Sequence, residues 1–351
     1  MKLAVGYPVI EDDDRPFPEI VEQYRGDIDE VYFAWAGEPS GRSPFGIDEH
    51  GSDPEAQERL EHDLRAIRAL GIRLDLLLNA NCYGPAAASL KLAHHVTSLV
   101  ERLCGRIGLD AVTTTSPFVA GTIKERFPSL TLRASVNMRI GTAQGMSYLA
   151  ELFDSFYVQR DHNRDLRRIA ELREWADRNA KELCILVNSG CLAFCSGQTF
   201  HDNLVAHESE IQAAPDPRDT LVCRRFLAER RNWVALLQGT WVRPEDLHHY
   251  ERFFSLAKLA TRMHSRPDRV IAAYVTRHFP GNLLDLLEPG YGSLLGGSII
   301  DNALFPADWH QRVTSCAKRC DVCGYCAETL ESILTPIESV LRRPPDRSCA
   351  T

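Results

Sequence analysis

The sequence predicts a (β/α)8 barrel followed by a C-terminal cysteine-rich extension. Three observations carry that expectation: eight short β-rich runs recur about every 25 to 40 residues, most are apolar throughout, and helical patterns separate them. The runs are Leu3–Tyr7, Val31–Trp35, Leu74–Leu78, Ala111–Thr115, Leu132–Val136, Phe153–Val158, Leu183–Val187 and Trp233–Leu237, the last being replaced by or continuing into Thr240–Val242. Continuous apolar runs suit strands covered on both faces, as a parallel sheet requires. A doubly wound open sheet is the rival, and the lack of a glycine-rich GxGxxG turn favours closure.

Between the strands, Asp53 caps a helix that has Pro54 at its first position; Leu60, Leu64, Ile67 and Leu70 form its apolar face and Gly71 ends it. Leu166, Ile169, Leu172 and Trp175 repeat the pattern before strand seven, and Tyr250, Phe253, Phe254 and Ala257 after strand eight. The barrel is expected over residues 1–265 and the extension over 266–351.

With 351 residues, 44% of them hydrophobic, the chain can bury a full core without disulfide help. A formal charge of -8 argues against an extended nucleic-acid surface. No apolar run approaches the roughly 18 residues of a membrane span, and no signal-peptide pattern opens the chain, so a soluble, cytoplasmic protein is expected. Eleven cysteines in a reducing compartment should then bind metal, act as thiols or pack as small hydrophobes.

Four of them, Cys316, Cys320, Cys323 and Cys326, form a CxxxCxxCxxC run close to the spacing of bacterial iron-sulfur clusters. All-sulfur coordination suits a [4Fe-4S] cluster or zinc, and the spacing does not separate them. A second set begins with Cys191 and Cys195, four apart and able to share a helical face; Cys223 can return to the same place, and Cys82, at a strand end, is the candidate fourth ligand. Strands three and seven stand on opposite sides of a barrel, so such a site would straddle the opening. Cys184 reads as a buried strand residue, and Cys104 and Cys349 have no partner spacing.

Catalytic residues of a (β/α)8 barrel gather at the C-terminal strand ends. Here those ends hold Glu11 and Asp12, Asn79, Asn81, Ser116, Asn137, Arg139, Arg160, Asp161, Asn163, Asn188, Gln238, Trp241 and Arg243. Arg139, Arg160 and Arg243 offer forked donors to a carboxylate or phosphate, or pair with neighbouring acids. His201 is either a proton donor or acceptor beside the thiols or a helix-packing residue. The P-loop, HExxH, GxSxG and DxDxDG patterns are all absent from the sequence. A CxxxCxxC of the radical-SAM kind occurs only as part of the tail run, after the barrel.

Five stretches, LNANCYG (78–84), AVTTTSP (111–117), ILVNSGCLAFCSGQTFHDN (185–203), WVRPEDLHHYERFFSLAKLATR (241–262) and AAYVTRHFPGNLLDLL (272–287), give the chain a resemblance to the peptidase U32, or collagenase-like protease, family over nearly its whole length. It resembles most the iron-sulfur branch related to the oxygen-independent hydroxylases of ubiquinone biosynthesis. That resemblance implies a barrel with a [4Fe-4S] cluster, one or two in this chain, on which Cys191 and Cys195 match a ligand pair and Cys223 a downstream ligand. It further implies O2-independent hydroxylation of a small anionic metabolite, with prephenate as an oxygen-donating co-substrate. RNA-base hydroxylation, an electron-transfer or assembly role with a protein partner or electron donor, and peptidase activity stand as alternatives. The cysteine-rich tail is an addition relative to the ubiquinone-pathway members.

Overall fold

The computed structural model describes residues 1–8, 15–38, 40, 47–48, 51–52, 54–207 and 220–341. Eight parallel strands close into a barrel: β1 (Lys2–Gly6), β2 (Ile28–Phe33), β3 (Arg73–Leu78), β4 (Ala111–Thr114), β5 (Thr131–Ala134), β6 (Ser155–Tyr157), β7 (Glu182–Leu186) and β8 (Leu256–Leu259). Each pairs with the next, and β8 pairs with β1 through Lys2 opposite Leu256 to Val5 opposite Leu259. The helices Pro54–Ala69, Leu90–Arg106 and Leu166–Arg178 bury Leu60, Leu64 and Ile67, Leu99 and Leu103, and Ile169 and Leu172 against the outer faces of the strands. Asp53, Glu11, Asp12 and Cys349 lie outside the described residues.

Seven strands fall where the sequence places them. The eighth does not. Trp233–Leu237 is a helical turn, and its Trp233, Leu236 and Leu237 pack in a separate core; Val242 packs in the barrel core and donates one backbone bond to Val187 but belongs to no strand. The true β8, Leu-Ala-Lys-Leu, carries a charged residue in its middle and so lacks an unbroken apolar run. Likewise Tyr250 ends a 3-10 segment, Pro244–Tyr250, and Ala257 belongs to β8, so no helix joins Tyr250 to Ala257. The helix following β8 is Pro267–Thr276, whose Val270, Ile271, Ala273 and Tyr274 enter the barrel core.

Alternate residues of each strand face inward, and the interior is ionic at one level. Arg133 on β5 donates to both oxygens of Glu30 on β2 at 2.6 and 3.0 Å and to Asp75 on β3 at 3.3 Å, and all three are fully buried. A buried pair of this kind stabilises little relative to an apolar replacement but is costly to break one partner at a time. Burial, then the Glu30 charge, raises the Asp75 carboxyl to about 6 against the pull of Arg133 and Lys258. Above this level, Gly6 is required: a Cβ there would stand 2.7 Å from both Tyr32 and Arg262.

The long connection from β7 to β8 and the chain after residue 282 share a second core. Leu227, Trp233 and Trp241 meet Leu283, Tyr291, Trp309 and Ile333, with the Trp241 and Trp309 rings stacked 6.0 Å apart. Arg164, at the end of β6, joins this core to the barrel: its buried guanidinium lies 4.1 Å from the Trp241 ring centroid and donates to the carbonyls of Leu237 and Trp241. Burial lowers its pKa to about 10.

Candidate functional site

At the C-terminal strand ends a cavity of ≈ 90 Å³ opens among side chains that include Tyr32, Asn79, Asn137, Arg160, Lys258 and Glu288. Its wall is built partly from the extension. Glu288 donates its N–H to the Asn188 carbonyl at 3.0 Å, and its own carbonyl accepts from Gly190 at 2.9 Å. Gly190 must be glycine, because a Cβ there would stand 2.1 Å from the Pro289 carbonyl oxygen. That close approach fixes where Cys191 begins.

Cys195 lies within electrostatic reach of both Cys191 and Cys223. Burial first, then Cys223 and Cys191, raise the pKa of the Cys195 thiol. The same thiols press on Tyr291, whose pKa is raised by burial, by Cys191 and by Cys223. A hydrogen bond with the Cys223 side chain is among the causes of that rise. Arg160 stands on the other side: burial pulls its proton affinity down, and Cys191, Asp202, Asp161 and Cys195 more than restore it. The loop is also anchored by Phe194, whose N–H donates to Asp161 at 2.6 Å.

Cys82 is placed by a different contact, its sulfur accepting from Gly84 N–H at 3.4 Å. Although β3 and β7 are opposed in the barrel, their following segments meet. Asn81 donates to Asp202 at 3.2 Å, and Arg139 donates to the same carboxylate at 2.9 Å and to Thr199 at 3.0 Å. Arg139 is therefore paired rather than free for an anion. His201 lies on the same helix, Gln198–Ala206, one residue before Asp202.

Two other expected residues serve the framework. Asn188 donates to the carbonyls of Ala260 and Leu286 and accepts from Ala260 N–H at 2.6 Å, so its amide ties β7 to β8 and to the extension. Arg243 points away from the cavity: it donates to the Asn302 side chain at 2.9 Å, pairs with Glu245 at 3.3 Å and covers the Phe305 ring. Of the three arginines expected in the mouth, Arg160 alone lines it. Placing strand eight too early put Arg243 at a strand end it does not occupy. The same error hid Lys258, which does line the cavity.

Cys316, Cys320, Cys323 and Cys326 surround one cavity of ≈ 350 Å³, together with Gln238 and Tyr325. Burial raises the pKa of Cys326 to about 11, with Cys320, Cys316 and Cys323 adding to the rise and Arg164 opposing it. Four thiols on one wall match the donor set of an iron-sulfur cluster or of zinc. Among the described residues, no three His, Cys, Asp or Glu side chains stand in metal-holding positions.

No family model matches the chain. It is 25% identical over 288 residues, 79% of this chain and 82% of the relative, to a Methanocaldococcus jannaschii protein called uncharacterized protease MJ1657. Among solved structures, the U32 peptidase Mk0906 superposes with a TM-score of 0.53 at 15% identity, covering 73% of this chain and 91% of that one, which shows a shared fold. The chain is thus similar in sequence to a protein named a protease and shares the fold of a U32 peptidase. Among the described residues, no helix is long and apolar enough to cross a membrane.

Proposed function

We propose that this chain is an iron-sulfur enzyme of the U32 peptidase family that transforms a small anionic metabolite at the barrel mouth, by O2-independent hydroxylation or a related redox or Lewis-acid reaction. One observation carries the reading: Arg160, which lines the polar cavity at the mouth, lies within electrostatic reach of Cys191 and Cys195, and Cys195 in turn of Cys223. The donor set fits a cluster held by these three thiolates, with Cys82 the candidate fourth ligand. A [4Fe-4S] cluster bound there supplies one-electron chemistry, and Lewis acidity where one iron lacks a thiolate.

The chain's own residues have distinct tasks in this reading. Arg160 binds a carboxylate of the substrate, and Tyr291 donates a hydrogen bond toward the thiolate-bound group. Asn188 and Gly190 hold the cysteine loop in place, and His201, on the helix after Cys195, is the candidate proton carrier. Cys316, Cys320, Cys323 and Cys326 hold a second cluster, or zinc, that braces the extension or passes electrons to a protein partner. An oxygen-bearing co-substrate such as prephenate is the candidate oxygen donor, with one of its carboxylates meeting Arg160.

Anaerobic purification of the full chain with iron and acid-labile sulfide analysis tests the proposal. Iron and sulfide in equal amounts, reduced by Cys191→Ser with Cys195→Ser, are expected. Colourless protein lacking both would overturn it. A second reading, peptidase activity, is favoured by the name of the Methanocaldococcus jannaschii homologue. It requires cleavage of denatured collagen by the purified chain, at a rate that Cys191→Ser abolishes.

A further inference from the structure

Six lysines stand among the 40 basic residues of this chain, and one of them is inside the barrel. Lys258, in the middle of β8, is 7% exposed, and that small exposure faces the mouth cavity. Its Nζ rests 3.5 Å from the centroid of the Tyr32 ring and 5.1 Å from that of Tyr157. The carboxylates below it, Glu30 and Asp75, are both engaged by Arg133. Among the described residues, Lys258 is thus held by aromatic faces rather than by its own salt bridge.

Every element packed around this amine bears on its charge. Asp75 and Glu30 favour the ammonium, while Arg133 and Arg262 oppose it. Burial is the largest influence, and the net effect lowers the pKa to about 8, so that an appreciable neutral fraction exists near neutrality. Arg160 and Glu288 share the cavity. Desolvation beside other cations is how a lysine becomes a nucleophile, and a guanidinium on the same wall offers a fork to a carboxylate.

We propose that Lys258 is an amine nucleophile that captures the carbonyl group of a small 2-oxo acid as an imine, with Arg160 holding the acid's carboxylate. The lone pair of neutral Nζ forms the C–N bond as the carbonyl π pair moves to oxygen. Nitrogen gives up its two protons to that oxygen, directly or through neighbouring groups, and the oxygen leaves as water. No oxidant or reductant is consumed. The inference rests on the reading of the mouth as a small-anion site, and not on the metal.

Reductive trapping tests it. The full chain, prepared with and without iron, is incubated with pyruvate and sodium cyanoborohydride, digested, and mapped by mass spectrometry. Reductive alkylation confined to Lys258, saturating with pyruvate and lost in Lys258→Met, is the expected result. Arg160→Gln should raise the half-saturating pyruvate concentration about tenfold or more, the loss of one hydrogen bond to a charged group. Wild-type protein that is unlabelled, or labelled equally on exposed Lys2, Lys91 and Lys318, would overturn the inference even where iron analysis succeeds. Trapping at Lys258 in protein that holds no iron would retain it while the cluster reading fails.

Discussion

The two cysteine sites differ in what surrounds the sulfur. Near the mouth, Cys191 and Cys195 act on the charge of Arg160, which lines a polar cavity, and Cys191 and Cys223 act on Tyr291. In the tail, Cys316, Cys320, Cys323 and Cys326 line a larger cavity whose barrel-side neighbour, Arg164, is already engaged by carbonyls and tryptophan rings. The first has a guanidinium on a cavity wall; the second has sulfur and a scaffold. Under the proposed function, similar thiol chemistry would serve two different uses, one at a reacting centre and one in support of it.

Separate disruption of the two sites should give the largest contrast. Cys191→Ser with Cys223→Ser should abolish turnover while the tail retains its metal; Cys316→Ser with Cys320→Ser should remove the tail metal and leave measurable turnover. Metal analysis beside an activity assay reads both. Equal loss of metal and activity in the two variants would erase the distinction.

Below the mouth, Arg133→Met leaves Glu30 and Asp75 buried without their cation, and urea unfolding should show a loss of about 3–5 kcal/mol. Arg160→Gln, at the mouth itself, should leave stability nearly unchanged and raise KM for an anionic substrate by about 10- to 100-fold, as expected for one charged hydrogen bond. If both variants affected only stability, the mouth would be framework rather than binding site.

The smallest effect is a pH dependence. The folded pKa of Lys258 is lowered to about 8 from 10.5, so the folded state binds fewer protons than the unfolded chain between those values. Stability from this group should therefore rise as pH increases from about 8 to 10.5 and be level on either side of that window. Thermal unfolding of Lys258→Met should lack this contribution.

The strands were legible where both faces are apolar, as in Leu3–Tyr7 and Leu183–Val187, because such runs leave little choice but a covered sheet. The tail thiols were legible because all four ligands lie within one short segment. What escaped was the ionic interior. Glu30, Asp75, Arg133 and Lys258 each interrupt an apolar strand at an inward position, and a charge at one strand position after another was the available signal. In Lys258 that interruption also concealed β8, while Val-Ala-Leu-Leu, which suits either a strand or a buried helical turn, took its place. Arg243 shows the consequence: correct placement of a guanidinium depends on knowing which strand it follows, and its partners Asn302 and Phe305 lie about 60 residues away in a segment whose packing no local pattern reveals.

Anomalous scattering at the iron edge, from crystals grown without oxygen, tests the central claim most directly. The account predicts an iron peak within bonding distance of the sulfurs of Cys191, Cys195 and Cys223, on the side facing Arg160. Those three sulfurs bare of iron in protein that is folded and active, or a zinc edge at that position, would contradict it.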